Sequence, residues 1–195
     1  MRLIGHVSTA VLVAAPLILH REKVPVLAAP GLSDVQLLWW VGLFAALPDL
    51  DIVLQRWLPI KHRGFASHSL FTAILVAATL AAAHVTALVR PAWLPAAVAA
   101  WLAPAALWLS PGAIALALVG VLAHLLGDSF TKTGVPLCYP GQAWTFPLLG
   151  GRVAFDNPVL NAIPLLAAVW VLAAWFHLDG EILGRLGHWR SVLRL

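Results

Sequence analysis

The chain has 195 residues, of which 62% are apolar and only 10% are charged, and its mean hydropathy is +0.91. Soluble domains carry roughly 25% charged residues, so this composition excludes an ordinary soluble protein and predicts an integral membrane protein. The formal net charge is +4. The basic residues are scattered one or two to a loop, however, and nucleic acid is not expected as a partner because no basic stripe follows a phosphate backbone. A single cysteine, Cys138, excludes a disulfide framework and a thiolate metal cluster.

Five apolar stretches are long enough, or nearly so, to cross a hydrocarbon core, which needs about 20 residues. They are 4–20, 35–55, 69–89, 111–128 and 158–177. In the first stretch His6 stands where the apolar core of a signal peptide would begin, which favours a retained helix. The sequence therefore predicts an all-α, polytopic membrane helix bundle with about five crossings.

A sixth apolar stretch, 92–109, is interrupted by Pro95 and Pro104. Because proline removes a backbone donor and disrupts the preceding helical turn, this stretch is expected to form a re-entrant or interfacial hairpin. A full crossing is the alternative. The tail 179–195 spaces apolar residues at helical intervals with arginines between them, which is typical of an amphipathic basic helix on a membrane surface. The chain thus divides into a transmembrane domain, 1–178, and this tail.

Four polar clusters interrupt the apolar sequence, and each contains histidine or aspartate. They are His6; Asp49 and Asp51; His62 and His68, with Arg63 beside the first; and His124 and Asp128. Ionisable side chains at membrane depth are costly, so each needs a partner, a water-filled cavity or a metal. Imidazoles and carboxylates are ligands of zinc and related divalent metals. The clusters together predict a membrane-embedded metal site.

Two of these clusters are pairs with informative spacing. His124 and Asp128 stand four residues apart, on one helical face, where both can hold one ion. The alternative is a buried hydrogen bond with a structural role only. Asp49 and Asp51 follow Pro48 at the end of the second stretch. One of the two could bind metal while the other orients a ligand or accepts a proton; alternatively both are solvated at a helix end.

The third cluster flanks a short turn before the third stretch. Either Ser67 or Ser69 is expected to cap the helix that follows, and Arg63 offers a bidentate donor for phosphate. His68 can share a site with His124 only if 92–109 bends back, because a full crossing there would place the two histidines on opposite sides of the membrane. His84 lies sixteen residues beyond His68, about 24 Å along a helix, and is excluded from that site.

The order of these motifs resembles a known family. His6 is followed by L-P-D-L-D at 47–51, H-R-G-F-A-S-H-S at 62–69 and H-L-L-G-D-S-F-T-K-T-G-V-P-L at 124–137. This order resembles the YdjM-like, LexA-regulated family of inner-membrane-associated proteins over residues 1–140. The resemblance implies a metal-dependent hydrolase in the cytoplasmic (inner) membrane of a prokaryote.

More distantly, H-L-L-G-D is similar to the H-x-x-G-D motif of zinc-dependent phospholipase C and of single-strand nucleases. That likeness implies that His124 and Asp128 bind metal, that Asp51 and His68 complete the first metal site, and that His6 serves a second metal. The further histidine and glutamate ligands of those enzymes have no counterpart in 129–157, which favours one or two ions.

The leading hypothesis is a membrane-bound, zinc-type hydrolase that uses a metal-activated water on a phosphoester in a lipid or lipid-like molecule. The predicted metal ligands are His6, Asp51, His62, His68, His124 and Asp128. The predicted catalytic residues are Asp51, Asp49 and Arg63. The expected partners are membrane lipid and this substrate, and the sequence predicts no oligomeric state. Two alternatives stay open: a metal or proton transporter, and a non-catalytic structural or regulatory membrane protein.

Overall fold

A computed structural model describes residues 3–27, 31–58, 64, 67–89, 95–138 and 157–175. Seven α-helices lie within these ranges: α1 (Leu3–Leu19), α2 (Asp34–Ala46), α3 (Asp51–Leu54), α4 (Leu70–Val89), α5 (Ala96–Ala105), α6 (Pro111–Ser129) and α7 (Pro158–Trp175). Short 3-10 turns cover Arg21–Lys23, Pro25–Leu27 and Leu47–Leu50. The described part of the chain contains no β-sheet, and the predicted all-α helix bundle is confirmed. The tail 179–195 lies outside the described residues.

Three helical segments are long and apolar enough to cross a membrane. They are Asp34–Leu54, which runs through α2, the Leu47–Leu50 turn and α3, together with α4 and α6. Shorter apolar helices cover Leu3–Leu19 and Asn161–Ala174. Each of the five predicted crossings therefore corresponds to an apolar helical segment of the structure.

Among the described residues of the connection between α4 and α6, the one α-helix is the ten-residue α5. Ten residues of α-helix rise about 15 Å, half the thickness of a hydrocarbon core. The amide of Leu70 donates to the carbonyl of Leu137 at 3.1 Å, so the start of α4 lies beside the segment that follows α6. Helices α4 and α6 also pack together and are therefore antiparallel. The connection leaves α4 and enters α6 at the same end of the bundle, in agreement with the predicted hairpin.

Local sequence explains where several helices begin and end. At the start of α2 the amide of Gln36 donates to Ser33 Oγ at 3.3 Å and the amide of Ser33 donates to Gln36 Oε1 at 2.8 Å, which is a capping box. At the start of α6 the Ser110 hydroxyl oxygen caps the helix, with Pro111 at the first helical position. Helix α2 ends at Ala46 because Pro48 cannot donate to the helical ladder, and the chain tightens into a 3-10 turn.

Helix α6 is the centre of the bundle and packs against α1, α2 and α4. Its closest approach is to α2 at Gly120. A Cβ atom at this position would lie 2.4 Å from the carbonyl oxygen of Val41 and 3.0 Å from the amide nitrogen of Ala45. Small residues at helix crossings let backbones approach closely in membrane proteins. Gly120 thus sets the distance between the two helices that frame the site described next.

Candidate metal centre

Six predicted site residues meet at the end of the bundle where α4 begins and α6 ends. They are His6, Asp49, Asp51, His68, His124 and Asp128. We call this end the site end, and the end where α6 begins the opposite end. Five of the six residues are at most 3% exposed, whereas the side chain of Asp49 is 15% exposed. His62 and Arg63, the other predicted site residues, lie outside the described residues.

The innermost atoms of the cluster form a compact group of nitrogen and oxygen donors. Nε2 of His68 and Nε2 of His124 are 3.2 Å apart, and Oδ2 of Asp128 lies 3.5 and 3.6 Å from them. Oδ1 of Asp49 lies 3.7 and 3.8 Å from the same two nitrogens. Ligand atoms bound tetrahedrally to zinc at 2.0–2.1 Å are about 3.4 Å apart. The spacing of this donor set therefore fits a zinc-sized cation.

The orientation of His124 is set by the main chain of α2. Its Nδ1 lies 2.6 Å from the carbonyl oxygen of Ala45. Because a carbonyl oxygen can only accept, Nδ1 must carry the hydrogen, and Nε2 of the neutral ring presents its lone pair to the centre. On its face the ring stacks against His6, with centroids 3.8 Å apart and an angle of 16° between the planes. His124 is thus held both at its edge and at its face.

His68 is held in the same way from the side away from the centre. Its Nδ1 lies 2.9 Å from Ser67 Oγ and 3.3 Å from Asp51 Oδ2. The Ser67 hydroxyl donates to the same Asp51 oxygen at 2.5 Å. An outer hydrogen bond of this kind is the usual way in which proteins orient metal-binding histidines. Both histidines therefore direct Nε2 to the same point.

Asp49 and Asp51 occupy opposite sides of this ring. The two residues are separated by about 200–240° of rotation in a helix or 3-10 turn, so their side chains leave the backbone about 120–160° apart. Asp49 contacts Nε2 of His68 and Asp51 contacts Nδ1. Asp51 was predicted as both a metal ligand and a catalytic residue. The structure places it behind His68 and places Asp49 beside the centre.

His6 approaches the cluster from α1. Its Nε2 is 3.3 Å from Oδ1 of Asp128, while Oδ2 of the same carboxylate is the oxygen that lies near His68 and His124. Asp128 thus connects the His6 side of the cluster to the centre. His84, which the spacing excludes from the site, lies on the uninterrupted helix α4, fourteen residues after Leu70, the first residue of that helix.

Two groups of the site were not predicted. The Ala45 carbonyl is a backbone atom and carries no signal in the sequence. Ser67 was considered only as a helix cap, yet it is Ser69 whose Oγ accepts from the amide of Phe71 at the start of α4, at 3.2 Å. The serine directly before a predicted ligand was the available signal, since the second ring nitrogen of a metal-binding histidine needs an outer partner.

Comparison with known proteins gives one result for nearly the whole chain. A sequence model of the family described as YdjM inner membrane protein matches residues 1–186. No curated protein and no solved structure matches the chain. The family match includes all six residues of the cluster and every helix from α1 to α7.

Proposed function

The chain belongs to the YdjM inner membrane protein family. From the geometry of its buried centre we propose that this centre binds a divalent cation, most favourably zinc, and hydrolyses a phosphoester. The substrate class is a membrane lipid or lipid-like molecule, and the membrane is the prokaryotic cytoplasmic membrane. One ion is held by His68, His124 and Asp128, and Asp49 faces the remaining position. Three protein ligands with one open position are the pattern of catalytic zinc sites.

The observation that carries the proposal is the 3.2 Å separation of the two Nε2 atoms. Both rings use Nδ1 in an outer hydrogen bond, so two nitrogen lone pairs converge beside two carboxylates. Such a group of acceptors is repulsive unless a positive charge lies between them. A bound cation satisfies all of these atoms at once and offsets the cost of burying the carboxylates.

A divalent cation in this position would lower the pKa of a bound water to about 7 and polarise a phosphoryl oxygen. The chain supplies the remaining functions. Asp49 is the most exposed of the six side chains, so it lies on the side from which water and substrate arrive, and its Oδ1 accepts the proton of the attacking water. His6 holds the outer oxygen of Asp128. Arg63 is proposed to neutralise the phosphate, as the sequence predicts.

The surroundings of Asp49 support an amphiphilic substrate. The segment that follows it is apolar and exposed, with Leu50 52%, Val53 53% and Trp57 81% accessible. Tryptophan side chains at the end of a membrane span lie at the level of the lipid headgroups. A phosphoester at the same depth can reach Asp49 without leaving the membrane. Transport of a metal or proton is less well supported, because transport sites lie near the bilayer midplane and these residues lie at helix ends.

The test compares Asp49→Asn with Asp128→Asn in the full-length protein, purified in detergent without chelator. Metal content is measured by elemental analysis, and hydrolysis is measured on bis(p-nitrophenyl) phosphate and on a fluorescent phosphatidic acid in mixed micelles. We expect Asp128→Asn to lose both metal and hydrolysis and Asp49→Asn to keep the metal but lose hydrolysis. A wild-type protein with far less than one ion per chain would overturn the proposal. Loss of metal from Asp49→Asn would make Asp49 a fourth ligand instead of the base.

A further inference from the structure

We propose that Asp51 and Ser67 form a positioning pair that fixes the orientation and the tautomer of His68, and that Asp51 is neither a metal ligand nor the general base. This inference rests on the proposed function, because it assigns roles within the same centre. It departs from the sequence-based expectation, which gave Asp51 both of those roles and gave Ser67 at most a role in capping.

The contacts of the pair form a closed triangle on the outer side of His68. Ser67 Oγ donates to Asp51 Oδ2 at 2.5 Å, and Nδ1 of His68 lies 2.9 Å from Ser67 Oγ and 3.3 Å from Asp51 Oδ2. The single hydroxyl hydrogen of Ser67 is directed to the carboxylate, since the carboxylate can only accept. Both neighbours of Nδ1 therefore present acceptor atoms, and Nδ1 must carry the ring hydrogen.

This assignment leaves Nε2 of His68 as the atom that faces the centre. The two nitrogens of an imidazole point away from each other, so a carboxylate bonded at Nδ1 lies on the far side of the ring from an ion bound at Nε2. Asp51 is also only 3% exposed, which keeps it from the side where water enters. Its position suits an outer-shell carboxylate, the partner that often raises the basicity of a metal-binding histidine.

The backbone around Ser67 holds the triangle in place. The amides of Ser67 and His68 both donate to the carbonyl of Gly64, at 3.2 and 2.9 Å, and so close a turn immediately before α4. Asp51 begins the short helix α3, which follows the Pro48 turn. Two turns that are far apart in sequence thus meet at Nδ1 of His68, and a side chain from each contacts it.

Asp49 provides a matched control of the same chemistry. It stands two residues away, and its carboxylate lies 3.7 Å from the other nitrogen of the same ring. Each variant, Asp49→Asn and Asp51→Asn, removes one carboxylate beside His68. If the inference is right, Asp51→Asn lowers the metal affinity, whereas Asp49→Asn keeps the metal and loses hydrolysis.

The experiment loads the full-length protein in detergent with Co²⁺ and records visible absorption spectra and affinities for Asp51→Asn, Ser67→Ala, Ser67→Thr and His68→Ala. For Asp51→Asn we expect the wild-type band positions with an affinity lowered about 10–100-fold. Ser67→Ala should weaken binding less, and Ser67→Thr, which keeps the hydroxyl, should restore it. His68→Ala should lose the spectrum of the wild-type ligand set. Circular dichroism confirms that each variant is folded.

A second readout needs no metal. In chelator-treated protein labelled with ¹⁵N-histidine, His68, assigned with His68→Gln, should show hydrogen on Nδ1, and Asp51→Asn or Ser67→Ala should shift that tautomer population. If wild type binds no Co²⁺, the proposed function fails, and the tautomer measurement still decides whether the pair positions His68. A spectrum lost in Asp51→Asn as completely as in His68→Ala would make Asp51 a ligand. Unchanged affinity and unchanged tautomer in both variants would remove any role for the pair.

Discussion

The two ends of the helix bundle are built from helices of similar apolar composition, yet they enclose different interiors. The site end buries His6, His68, His124 and Asp128 with no measurable exposure. The opposite end is aromatic: Trp40 packs against Trp108 with ring centroids 5.1 Å apart. Burying an aromatic ring stabilises a bundle without further requirements, whereas burying imidazoles and carboxylates is unfavourable unless they are compensated. The contrast separates the end that stabilises the fold from the end that carries chemistry.

Helix α6 joins these two ends. Comparison of α6 with α4 shows that hydropathy alone cannot distinguish a central helix from a peripheral one. Both helices are strongly apolar, but most of α6 is buried inside the bundle, whereas only a small part of α4 is buried. Close packing at Gly120 fixes which face of α6 meets α2. The last two turns of α6 carry His124 and Asp128. Helix α4 begins at Leu70, and the site residue His68 lies two residues before it. The central helix therefore determines where the ligands meet.

The largest expected effect comes from removing a ligand at the site end. His124→Ala should abolish metal retention and phosphoester hydrolysis while helical content in detergent stays the same, because the ring contributes one of the three proposed metal ligands. The control is His84→Ala on α4, which should change neither. Metal content by elemental analysis and helicity by circular dichroism are the measurements. Equal losses in the two variants would show that the effect is on folding and would withdraw the ligand assignment.

A smaller effect is expected at the crossing of α2 and α6, which lies between the two ends. A substitution there should change both the stability of the bundle and its metal affinity. Gly120→Ala would place a Cβ against the backbone of Val41 and Ala45, and overpacking of this kind costs about 1–3 kcal/mol of unfolding free energy. Since the Ala45 carbonyl orients His124, metal affinity should fall as well.

Gly42→Ala is the matched control for this crossing. An added Cβ there meets only an ordinary contact, Val7 Cγ1 at 3.5 Å, and alanine is the better helix former by about 1 kcal/mol. Thermal unfolding and Co²⁺ titration of both variants are the measurements. A Gly120→Ala protein with unchanged stability and affinity would mean that the crossing does not hold the site in place.

A still smaller effect, confined to stability, is expected at the opposite end. The indole Nε1–H of Trp40 donates to the carbonyl oxygen of Ala113 at 2.8 Å. Trp40→Phe removes this bond and should lower the unfolding free energy by about 1 kcal/mol, with metal content unchanged. Trp39→Phe, at a side chain 76% exposed, serves as the control and should be neutral. A loss of metal from Trp40→Phe would show that the two ends are not independent.

The positions of most helices were predictable because apolar length and local caps determine them. The predicted stretches 69–89 and 111–128 differ from α4 and α6 by one residue at an end. The meeting of His68 with His124 and Asp128 was also predictable, since the direction of successive crossings places them at one end. The stretch 35–55 was predicted as one crossing with Pro48 near its end, and the structure divides it around Pro48 into α2, a 3-10 turn and α3.

That division explains what the sequence could not predict at the site. Whether Asp49 or Asp51 faces the centre depends on the rotation per residue in the turn around Pro48, which is about 120° in a 3-10 turn and about 100° in an α-helix. The sequence-based assignment followed a resemblance and named Asp51, while the geometry brings Asp49 nearer to the donor atoms. The Ala45 carbonyl could not be predicted because it depends on the approach of α2 to α6, which is a property of packing.

We expect the site end and the opposite end to face two sides of a membrane. Cysteine labelling tests this expectation without any change in the stability of the protein. Cys138 is exposed in the segment after α6, at the site end, and is a natural label for that side. In a Cys138→Ser background, Glu22→Cys after α1 and Leu107→Cys before α6 report the opposite end. A helix of 17 residues rises about 25 Å, so the two ends are separated by nearly a hydrocarbon core. A membrane-impermeant maleimide should reach Cys138 from one face and both new cysteines from the other. Labelling of Leu107→Cys from the face opposite to Glu22→Cys would mean that 92–109 crosses the membrane. The contact between His68 and His124 could then not exist in the bilayer.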